Sequence, residues 1–271
     1  IPSPGQQEKK DGKFTIGIIG GSGFYSSQKC IANEQKISVE TRYGNVSLIK
    51  GTLDDVEVIF LSRHGDEIKY PPHAINHKAN IAALHKMGVN RIIATSAVGV
   101  LKFRYKLGVL TLPDQLVDMS KEVNSFYNGG EEGIVHTDIS DPFCLDVIGM
   151  IRKVLDERSI QYQFGGTYLS LSGPTFETKA EIRLYQGLGM TFVGMTIAAE
   201  CKLARELSMC YVPILLPVNY GAGMTDELVT HDTTLRMVET MRKDITTGLG
   251  GIVQALPAER NCDCPRSVSG M

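Results

Sequence analysis

The sequence Ser-Gly-Pro-Thr-Phe-Glu-Thr-Lys-Ala-Glu at residues 172–181 follows an apolar run that ends at Leu171. This run is typical of a β-strand, and because proline cannot continue a central strand, the chain must turn at Pro174. A second apolar run, at residues 211–218, ends at Asn219. In an open α/β sheet, ligands bind beyond the carboxyl ends of such strands.

Three side chains that follow these strands have complementary chemistry. Phe176 offers a stacking ring, Glu177 offers an acceptor, and Asn219 offers both a donor and an acceptor. A heterocyclic base needs this combination, so the three residues form a candidate base pocket. The alternative interpretation is a turn with a core phenylalanine and a solvated glutamate.

The composition is that of an ordinary globular protein. The chain has 271 residues, of which 42% are hydrophobic and 21% are charged, and its net charge is −2. This length allows one or two domains, and the charge gives no field that would attract nucleic acid or a membrane surface. No apolar run reaches the roughly 18 residues of a membrane span. Residues 1–13 are polar and lack the apolar centre of a signal peptide, so we expect a flexible tail and a cytoplasmic protein.

Strand-like apolar runs alternate with amphipathic helical segments from residue 14 to residue 256. The sequence contains no internal repeat, low-complexity block or linker between two halves. A single α/β domain over residues 14–256 is therefore the simplest prediction. Helices are expected at residues 76–87, 145–157, 179–187, 197–207 and 231–249, the last of them capped by Asp232.

Three turns rich in small residues follow predicted strands, and each carries a possible phosphate ligand. They are Gly20-Gly21-Ser22-Gly23, Ser62-Arg63-His64-Gly65 and Ser96-Ala97-Val98-Gly99. Backbone N–H groups and hydroxyls in such turns bind anions, and an arginine can bind two phosphate oxygens. The glycine spacing fits neither the dinucleotide fingerprint nor the Walker motif. Any one of these turns is also compatible with a tight turn or a surface pair of charges, but together they predict an anion site.

Two histidines lie where they could reach such a site. His136 belongs to a long excursion at residues 119–141, and it could serve a neighbouring subunit or be a solvated loop residue. His231 precedes the last helix, and the alternative for it is an exposed N-terminal position.

The six cysteines are too few for a disulfide framework in a chain of this length. Four of them lie in apolar stretches and are interpreted as small core residues: Cys30, Cys144, Cys201 and Cys210. Cys262 and Cys264 lie in the C-terminal tail at residues 257–271, which we expect to be loosely attached. Because no second cysteine or histidine pair is near them in the sequence, no metal site is expected. A redox pair or disulfide between them and two free thiols both stay open.

Taken together, these motifs resemble the trimeric branch of the purine nucleoside phosphorylase and methylthioadenosine phosphorylase family. The resemblance covers residues 16–249. The segments that carry it are Gly17-Ile18-Ile19-Gly20-Gly21-Ser22-Gly23, Ser62-Arg63-His64-Gly65, Asn76 with Ala79 and Asn80, Ser96-Ala97-Val98-Gly99, Asp141-Pro142-Phe143-Cys144, Ser172-Gly173-Pro174 and Gly194-Met195-Thr196. It implies a mixed, twisted β-sheet flanked by helices, and a homotrimer or dimer of trimers with sites near subunit interfaces.

The resemblance also implies roles for individual residues. Phosphate is expected to contact the following residues: Ser22, Arg63, His64, Ser96, Ala97 and Thr196. The nucleoside is expected to contact a second set: Phe176, Glu177, Met195, Asn219, Tyr220, Gly221 and His231, with His136 lent to an adjacent site. Asn219 and His64 are the expected catalytic residues. Inorganic phosphate is a co-substrate, and no metal or organic cofactor is implied.

Three positions depart from the methylthioadenosine branch. That branch has a Thr-Asp-Tyr-Asp segment where this chain has Val218-Asn219-Tyr220-Gly221, and it has a small hydroxyl residue where this chain has Glu177. Glu177 is similar to the residue with which 6-oxopurine nucleoside phosphorylases accept a hydrogen bond from N1–H, a proton that adenine lacks. His231 falls where the methylthio branch has an apolar residue, and it is similar to the residue used toward a 5′-hydroxyl. A site built to pair a polar group can discriminate by as much as ~10⁴.

We therefore expect reversible phosphorolysis of inosine and guanosine to a free base and ribose 1-phosphate. In this reaction Asn219 would donate a hydrogen bond to N7 of the departing purine. Within the family, the alternative is phosphorolysis of 5′-methylthioadenosine or 5′-methylthioinosine. Outside it, the alternatives are a phosphate- or nucleotide-binding regulatory protein without turnover and a dinucleotide-dependent dehydrogenase, which the glycine spacing disfavours.

Overall fold

The structure is a computed structural model that describes residues 15–21, 31–65, 69–130 and 133–270. The predictions for residues 1–13, Ser22 and Cys30 lie outside these ranges. The described residues form one α/β domain whose mixed sheet is flanked by helices, so the predicted fold class is confirmed. None of the described helices has both the length and the apolar composition that crossing a bilayer requires.

The described part of the chain contains one large sheet of eleven strands and a separate two-stranded sheet. In chain order the strands are β1 (Thr15–Gly20), β2 (Ala32–Thr41), β3 (Gly44–Leu53), β4 (Val56–Ser62), β5 (Val89–Val100), β6 (Leu110–Leu112), β7 (Gln115–Asp118), β8 (Val135–Thr137), β9 (Tyr162–Phe164), β10 (Thr167–Ser170), β11 (Phe192–Gly194), β12 (Cys210–Tyr220) and β13 (Val268–Gly270). The large sheet has the order β2-β3-β4-β1-β5-β11-β10-β7, and β12 joins it by pairing with β5. β8 and β13 form the small antiparallel sheet.

Strand β5 lies at the centre because it pairs with three others. It runs parallel to β1 and to β12, and its last residues pair antiparallel with β11. All six residues of β1 are buried. Continuous burial is expected of parallel strands that are covered on both faces, and it explains why the sequences of β1 and β12 are apolar without alternation.

The segment Ser96-Ala97-Val98-Gly99 was predicted to be a turn, and this prediction is wrong. These residues continue β5, because β12 pairs with them on one side and Val193 of β11 lies opposite Gly99 on the other. The segment still lies at the carboxyl end of a strand, so its position in the fold is the one expected.

The five helices described are close to their predicted positions. They are α1 (His77–Lys86), α2 (Leu145–Glu157), α3 (Lys179–Gly187), α4 (Ile197–Glu206) and α5 (His231–Ala255). The expected cap of α5 by Asp232 is wrong: the hydroxyl of Thr230 accepts the N–H of Thr233 at 3.2 Å, one residue before the helix begins. Helix α3 begins with a capping box between Thr178 and Glu181, which fixes the chain just after Glu177.

The segment after Ala255 is packed on the domain, and the expectation of a loose tail is wrong. Arg260 Nη1 donates to the Ser208 carbonyl oxygen at 2.6 Å, and Arg91 Nη2 donates to the Glu259 carbonyl oxygen at 2.7 Å. Cys264 is buried, and β13 pairs with β8. The polar composition misled the prediction because these contacts are made by buried or partly buried arginines and backbone carbonyls, which composition does not reveal.

Candidate active site

A cavity of about 150 Å³ lies where β4, β11 and β12 end. Its wall contains most of the residues that the sequence predicted: Arg63, His64, Ser96, Ala97, Phe176, Glu177, Met195, Thr196, Asn219 and His231. Residues that were predicted for phosphate and for a base therefore share one cavity, although they come from segments up to 168 residues apart in numbering.

Arg63 is a charged group in the part of the cavity wall that the sequence predicted to bind phosphate. It follows β4 directly, and only 2% of its surface is exposed. Its Nη1 donates to the Thr95 carbonyl oxygen at 2.7 Å. Its Nε and Nη2 donate to the two carboxylate oxygens of Glu200 at 2.5 and 3.0 Å. The guanidinium is thus held in one orientation from two sides.

Glu200 is the partner that fixes Arg63, and only 1% of it is exposed. It lies in the first turn of α4, where the hydroxyl of Tyr211 also donates to its Oε2 at 2.7 Å. Burial alone would raise the pKa of Glu200, but the charge of Arg63 and its hydrogen bonds hold that pKa below the usual range. The carboxylate is therefore ionised, and it compensates the buried guanidinium.

His64 adds a neutral ring beside Arg63. Burial lowers the pKa of His64, and the neighbouring charge of Arg63 lowers it further. Nδ1 lies 2.8 Å from the Tyr70 carbonyl oxygen. A carbonyl only accepts, so Nδ1 carries the proton and Nε2 of the neutral ring is an acceptor.

The N-terminus of α4 contributes to the same wall. Thr196 immediately precedes the helix, lines the cavity and is buried. A helix N-terminus presents unpaired N–H groups and the positive end of the helix dipole, and both favour an anion. Together with Arg63 and the hydroxyl of Ser96, this makes one end of the cavity suitable for phosphate.

Another part of the wall comes from the turn after β10. Gly173 has a φ of +64°, and a side chain there would run into the sulfur of Met195. The glycine therefore lets this turn approach Met195 closely, which brings Phe176 and Glu177 to the cavity. Burial raises the pKa of the Glu177 carboxyl, and 46% of Phe176 is exposed at the cavity mouth.

Asn219 lies near the end of β12, opposite Gly99 of β5. A Cβ at Gly99 would lie 3.4 Å from Nδ2 of Asn219 and 3.0 Å from Cγ1 of Val193, so the glycine leaves room for the amide. Nδ2 donates to the Tyr220 carbonyl oxygen at 2.8 Å. An amide nitrogen has two protons. Asn219 can keep this bond and donate its second proton to a ligand.

Three predicted nucleoside residues do not line this cavity. Tyr220 follows Asn219 in a strand, so its side chain points to the opposite face, where its hydroxyl donates to the Tyr105 carbonyl oxygen. A side chain at Gly221 would meet Leu101 and Ile182, away from the cavity. His136 lies on β8, and its predicted role in an adjacent subunit stays a prediction.

Sequence reasoning missed two residues of the site. Glu200 was not predicted to belong to the site, yet it lies three residues after Ile197 and four before Ala204, both buried. A carboxylate on the apolar stripe of a helix is a signal of a buried ion pair. Thr234, one turn into α5, lines the cavity as well, and no sequence motif marks it.

The comparison with protein families gives a direct result. A family model described as the phosphorylase superfamily matches residues 15–253. The chain belongs to this superfamily. The phosphorylase is 38% identical over 261 residues to the 6-oxopurine nucleoside phosphorylase of Pyrococcus furiosus, with 94% of this chain and 98% of that protein covered.

Two further relatives represent the other branch. The phosphorylase is 36% identical to the S-methyl-5′-thioadenosine phosphorylase of Thermofilum pendens, over 94% of this chain and 97% of that protein. The crystal structure of a methylthioadenosine phosphorylase sourced from an antarctic soil metagenomic library superposes with a TM-score of 0.85 at 30% identity, covering 94% and 90% of the two chains. Membership of the purine nucleoside and methylthioadenosine phosphorylase family is thereby confirmed, and the chain is an enzyme of this type.

Proposed function

We propose that this phosphorylase cleaves 6-oxopurine nucleosides, with inosine and guanosine as substrates. Inorganic phosphate is the second substrate, and the products are the free purine and ribose 1-phosphate. The observation that carries this proposal is that Glu177 and Asn219 share a cavity with Arg63 and the N-terminus of α4. Groups suited to a purine base and groups suited to phosphate thus line one cavity, which supports a single reaction between the two ligands.

Base recognition follows from the protons of a 6-oxopurine. Such a base carries a proton on N1, and the Glu177 carboxylate is an acceptor for it. Adenine has no proton on N1, so with adenine this acceptor would be desolvated without a partner. Leaving a buried polar group unpaired costs roughly 1–3 kcal/mol. Asn219 offers N7 of either base a donor, so Glu177 is the residue that selects the base.

The proposed reaction breaks the bond between C1′ of the ribose and N9 of the purine. The electron pair of this bond leaves with the purine, and the N–H of Asn219 stabilises the negative charge at N7. A phosphate oxygen, positioned by Arg63 and Thr196, forms the new bond to C1′. Its negative charge also stabilises the positive charge that develops on the sugar. This chemistry requires neither a metal nor an organic cofactor, and phosphate is a co-substrate.

Phosphorolysis of methylthioadenosine or methylthioinosine is the second candidate. It is favoured by the 36% identity to a relative with the former activity in its name. His231 is the observation against it. This residue lines the same cavity as His64, so its imidazole faces the site. An imidazole can form a hydrogen bond with a 5′-hydroxyl, whereas the sulfur of a methylthio group is only a weak hydrogen-bond acceptor.

We also propose a homotrimer or a dimer of trimers, located in the cytoplasm. Large apolar side chains are exposed on the single chain: Val123 is 87% exposed, Leu228 is 83% exposed and Phe103 is 62% exposed. Burial of such side chains between subunits would remove them from water. The mass of the particle in solution, measured by light scattering, tests this proposal directly.

Formation of hypoxanthine and ribose 1-phosphate from inosine tests the proposed reaction. Both products should appear in equal amounts, and only when phosphate is present. Binding of phosphate without product would instead indicate a regulatory protein. Release of hypoxanthine in the absence of phosphate would indicate hydrolysis.

A further inference from the structure

Four cysteines from distant parts of the sequence meet inside the fold. The four-cysteine cluster consists of Cys144, Cys210, Cys262 and Cys264, whose sulfur atoms all lie within 4.8 Å of one another. Three of these residues are buried, and Cys262 is half-buried. Cys144 and Cys210 are core residues, as the sequence predicted, but they do not lie alone there, because folding brings both to the C-terminal Cys-Asp-Cys segment.

Three of the four cysteines lie in or next to a defined element. Cys144 is the residue before α2, Cys210 is the first residue of β12, and Cys264 begins a short 3₁₀ helix. The Cys144 N–H also donates to the Tyr211 carbonyl oxygen at 3.1 Å, which ties the first two cysteines together through the backbone. Cys201 is the remaining described cysteine. It lies outside the cluster, and its thiol donates to the Pro142 carbonyl oxygen.

The spacing of the sulfurs leaves room for one ion bound by all four of them. Zinc binds four thiolates at about 2.3 Å, which places the sulfurs roughly 3.8 Å from each other. The sulfurs of Cys210 and Cys262 are 3.4 Å apart, and every sulfur of the cluster has the other three within 4.8 Å. If the four cysteines formed two disulfides, each sulfur would need only one other sulfur close to it. Cys262 and Cys264 are separated by one residue, which is fewer than the two to four residues usual between paired zinc ligands. The other two cysteines of the cluster come from separate elements.

The charges around the cluster suit bound thiolates. The guanidinium of Arg91 interacts electrostatically with the sulfurs of Cys210, Cys262 and Cys144, and that of Arg260 interacts with the sulfur of Cys210. A divalent ion with four thiolates carries a net charge of −2, and these nearby arginines compensate it.

We propose that the four-cysteine cluster binds one structural Zn²⁺ ion. The ion would join the C-terminal segment to the start of β12 and to α2. This segment continues into β13, which pairs with β8 so that Ser269 lies opposite His136. The zinc site would therefore hold in place the strand that carries His136, a residue predicted to serve an adjacent active site.

The first experiment measures zinc and thiols in the full-length protein, purified with a reductant and without chelators. We expect about one zinc ion per chain, the stoichiometry of a four-cysteine site. Replacement of zinc by Co²⁺ should give the visible absorption of a tetrahedral cobalt–thiolate centre. Chelation under reducing conditions should lower Tm, and added Zn²⁺ should restore it.

Two variants locate the ion. Cys262→Ser removes a half-buried ligand, and it should abolish both stoichiometric zinc and the cobalt spectrum. Cys201→Ser changes a buried cysteine outside the cluster and keeps a donor to Pro142, so it should retain both. The cobalt spectrum of the unaltered protein does not depend on either variant folding.

Three results would overturn the proposal. One is reduced protein with four reactive thiols in the cluster and no stoichiometric zinc. Another is freshly purified, metal-free protein whose mass under non-reducing conditions shows two disulfides within the cluster. The third is an unchanged zinc content in Cys262→Ser.

Discussion

Glu200 holds Arg63 through two hydrogen bonds, from Nε to Oε1 at 2.5 Å and from Nη2 to Oε2 at 3.0 Å. Both side chains are almost completely buried, although Arg63 follows a strand of the sheet and Glu200 belongs to α4. The same helix presents its N-terminus to the cavity at Thr196. The ion pair therefore connects two separate elements that we propose to bind phosphate, and it holds the guanidinium in one orientation.

Glu200→Gln should weaken phosphate binding, although the side chain at this position does not contact phosphate. The substitution keeps the shape of the side chain but leaves the Arg63 charge uncompensated, which costs roughly 3–5 kcal/mol of stability for a buried pair. Misplacement of the guanidinium should raise the KM for phosphate by about 10²-fold. The KM for inosine should change much less, and steady-state kinetics with each substrate varied in turn measures both.

Asp118→Asn is the matched control for this variant. Asp118 pairs with Lys202, also on α4, but the lysine is partly exposed and neither residue lines the cavity. Exposed pairs contribute only about 0–1 kcal/mol. The control should leave the KM for phosphate unchanged, and an equal rise in both variants would show that α4 responds to any lost ion pair.

His64 should make phosphate binding depend on pH. Burial and the charge of Arg63 lower the pKa of His64, so the ring is neutral at pH 7 and its Nε2 is an acceptor. Such a ring accepts a hydrogen bond from a phosphate oxygen that carries a proton. Dihydrogen phosphate has two such oxygens, and near neutral pH it gives way to monohydrogen phosphate, which has one. The KM for total phosphate should therefore rise as pH increases through neutrality, by less than about tenfold per unit. His64→Asn should flatten this dependence, and a slope that is unchanged in the variant would contradict the assignment.

Glu177 should set the acid limit of activity toward inosine. Burial raises the pKa of this carboxyl, so it takes up a proton at a higher pH than an ordinary glutamate with a pKa of about 4.3. The protonated carboxyl has lost its charge and is a weaker acceptor for N1–H, so kcat/KM should fall as pH falls through this raised pKa. Glu177→Gln should remove the acid limb and reduce the preference for inosine over adenosine. Glu181→Gln, in which glutamine keeps the capping box of α3, should retain the limb.

Asn219→Asp should impair turnover of inosine far more than binding of phosphate. A carboxylate would repel the negative charge that develops on the departing purine, and loss of one such donor costs about 10²–10³ in kcat. The KM for phosphate should stay within a few-fold of its original value, because Asn219 is a base-side residue. Equal losses in both parameters would remove Asn219 from the base pocket.

Much of the fold could be predicted because local patterns decide it. The apolar runs of β1 and β12 and the periodicity of the five helices are visible in the sequence, and all are found. The positions of Arg63, Glu177 and Asn219 in one cavity could be predicted as well, since each follows or ends a strand. The turn expected at Ser96 was wrong because pairing with β12 and β11, which is not local, extends β5.

The features that escaped prediction depend on contacts between distant residues. Glu200 meets Arg63 across 137 positions of sequence, and Cys144 meets Cys264 across 120 positions. Spacing rules for metal sites and ion pairs consider residues that are close in sequence. The packing of the C-terminal segment was not predicted for the same reason, because its partners, Ser208, Arg91 and β8, are distant in sequence.

The relative kcat/KM for inosine, guanosine, adenosine and methylthioadenosine, measured side by side with saturating phosphate, tests the central claim most directly. The account predicts that inosine and guanosine exceed both 6-amino substrates by at least about tenfold, the discrimination that a buried acceptor left unpaired would give. A higher kcat/KM for methylthioadenosine would leave the phosphate site as described. It would contradict the roles given to Glu177 and His231 in the choice of nucleoside.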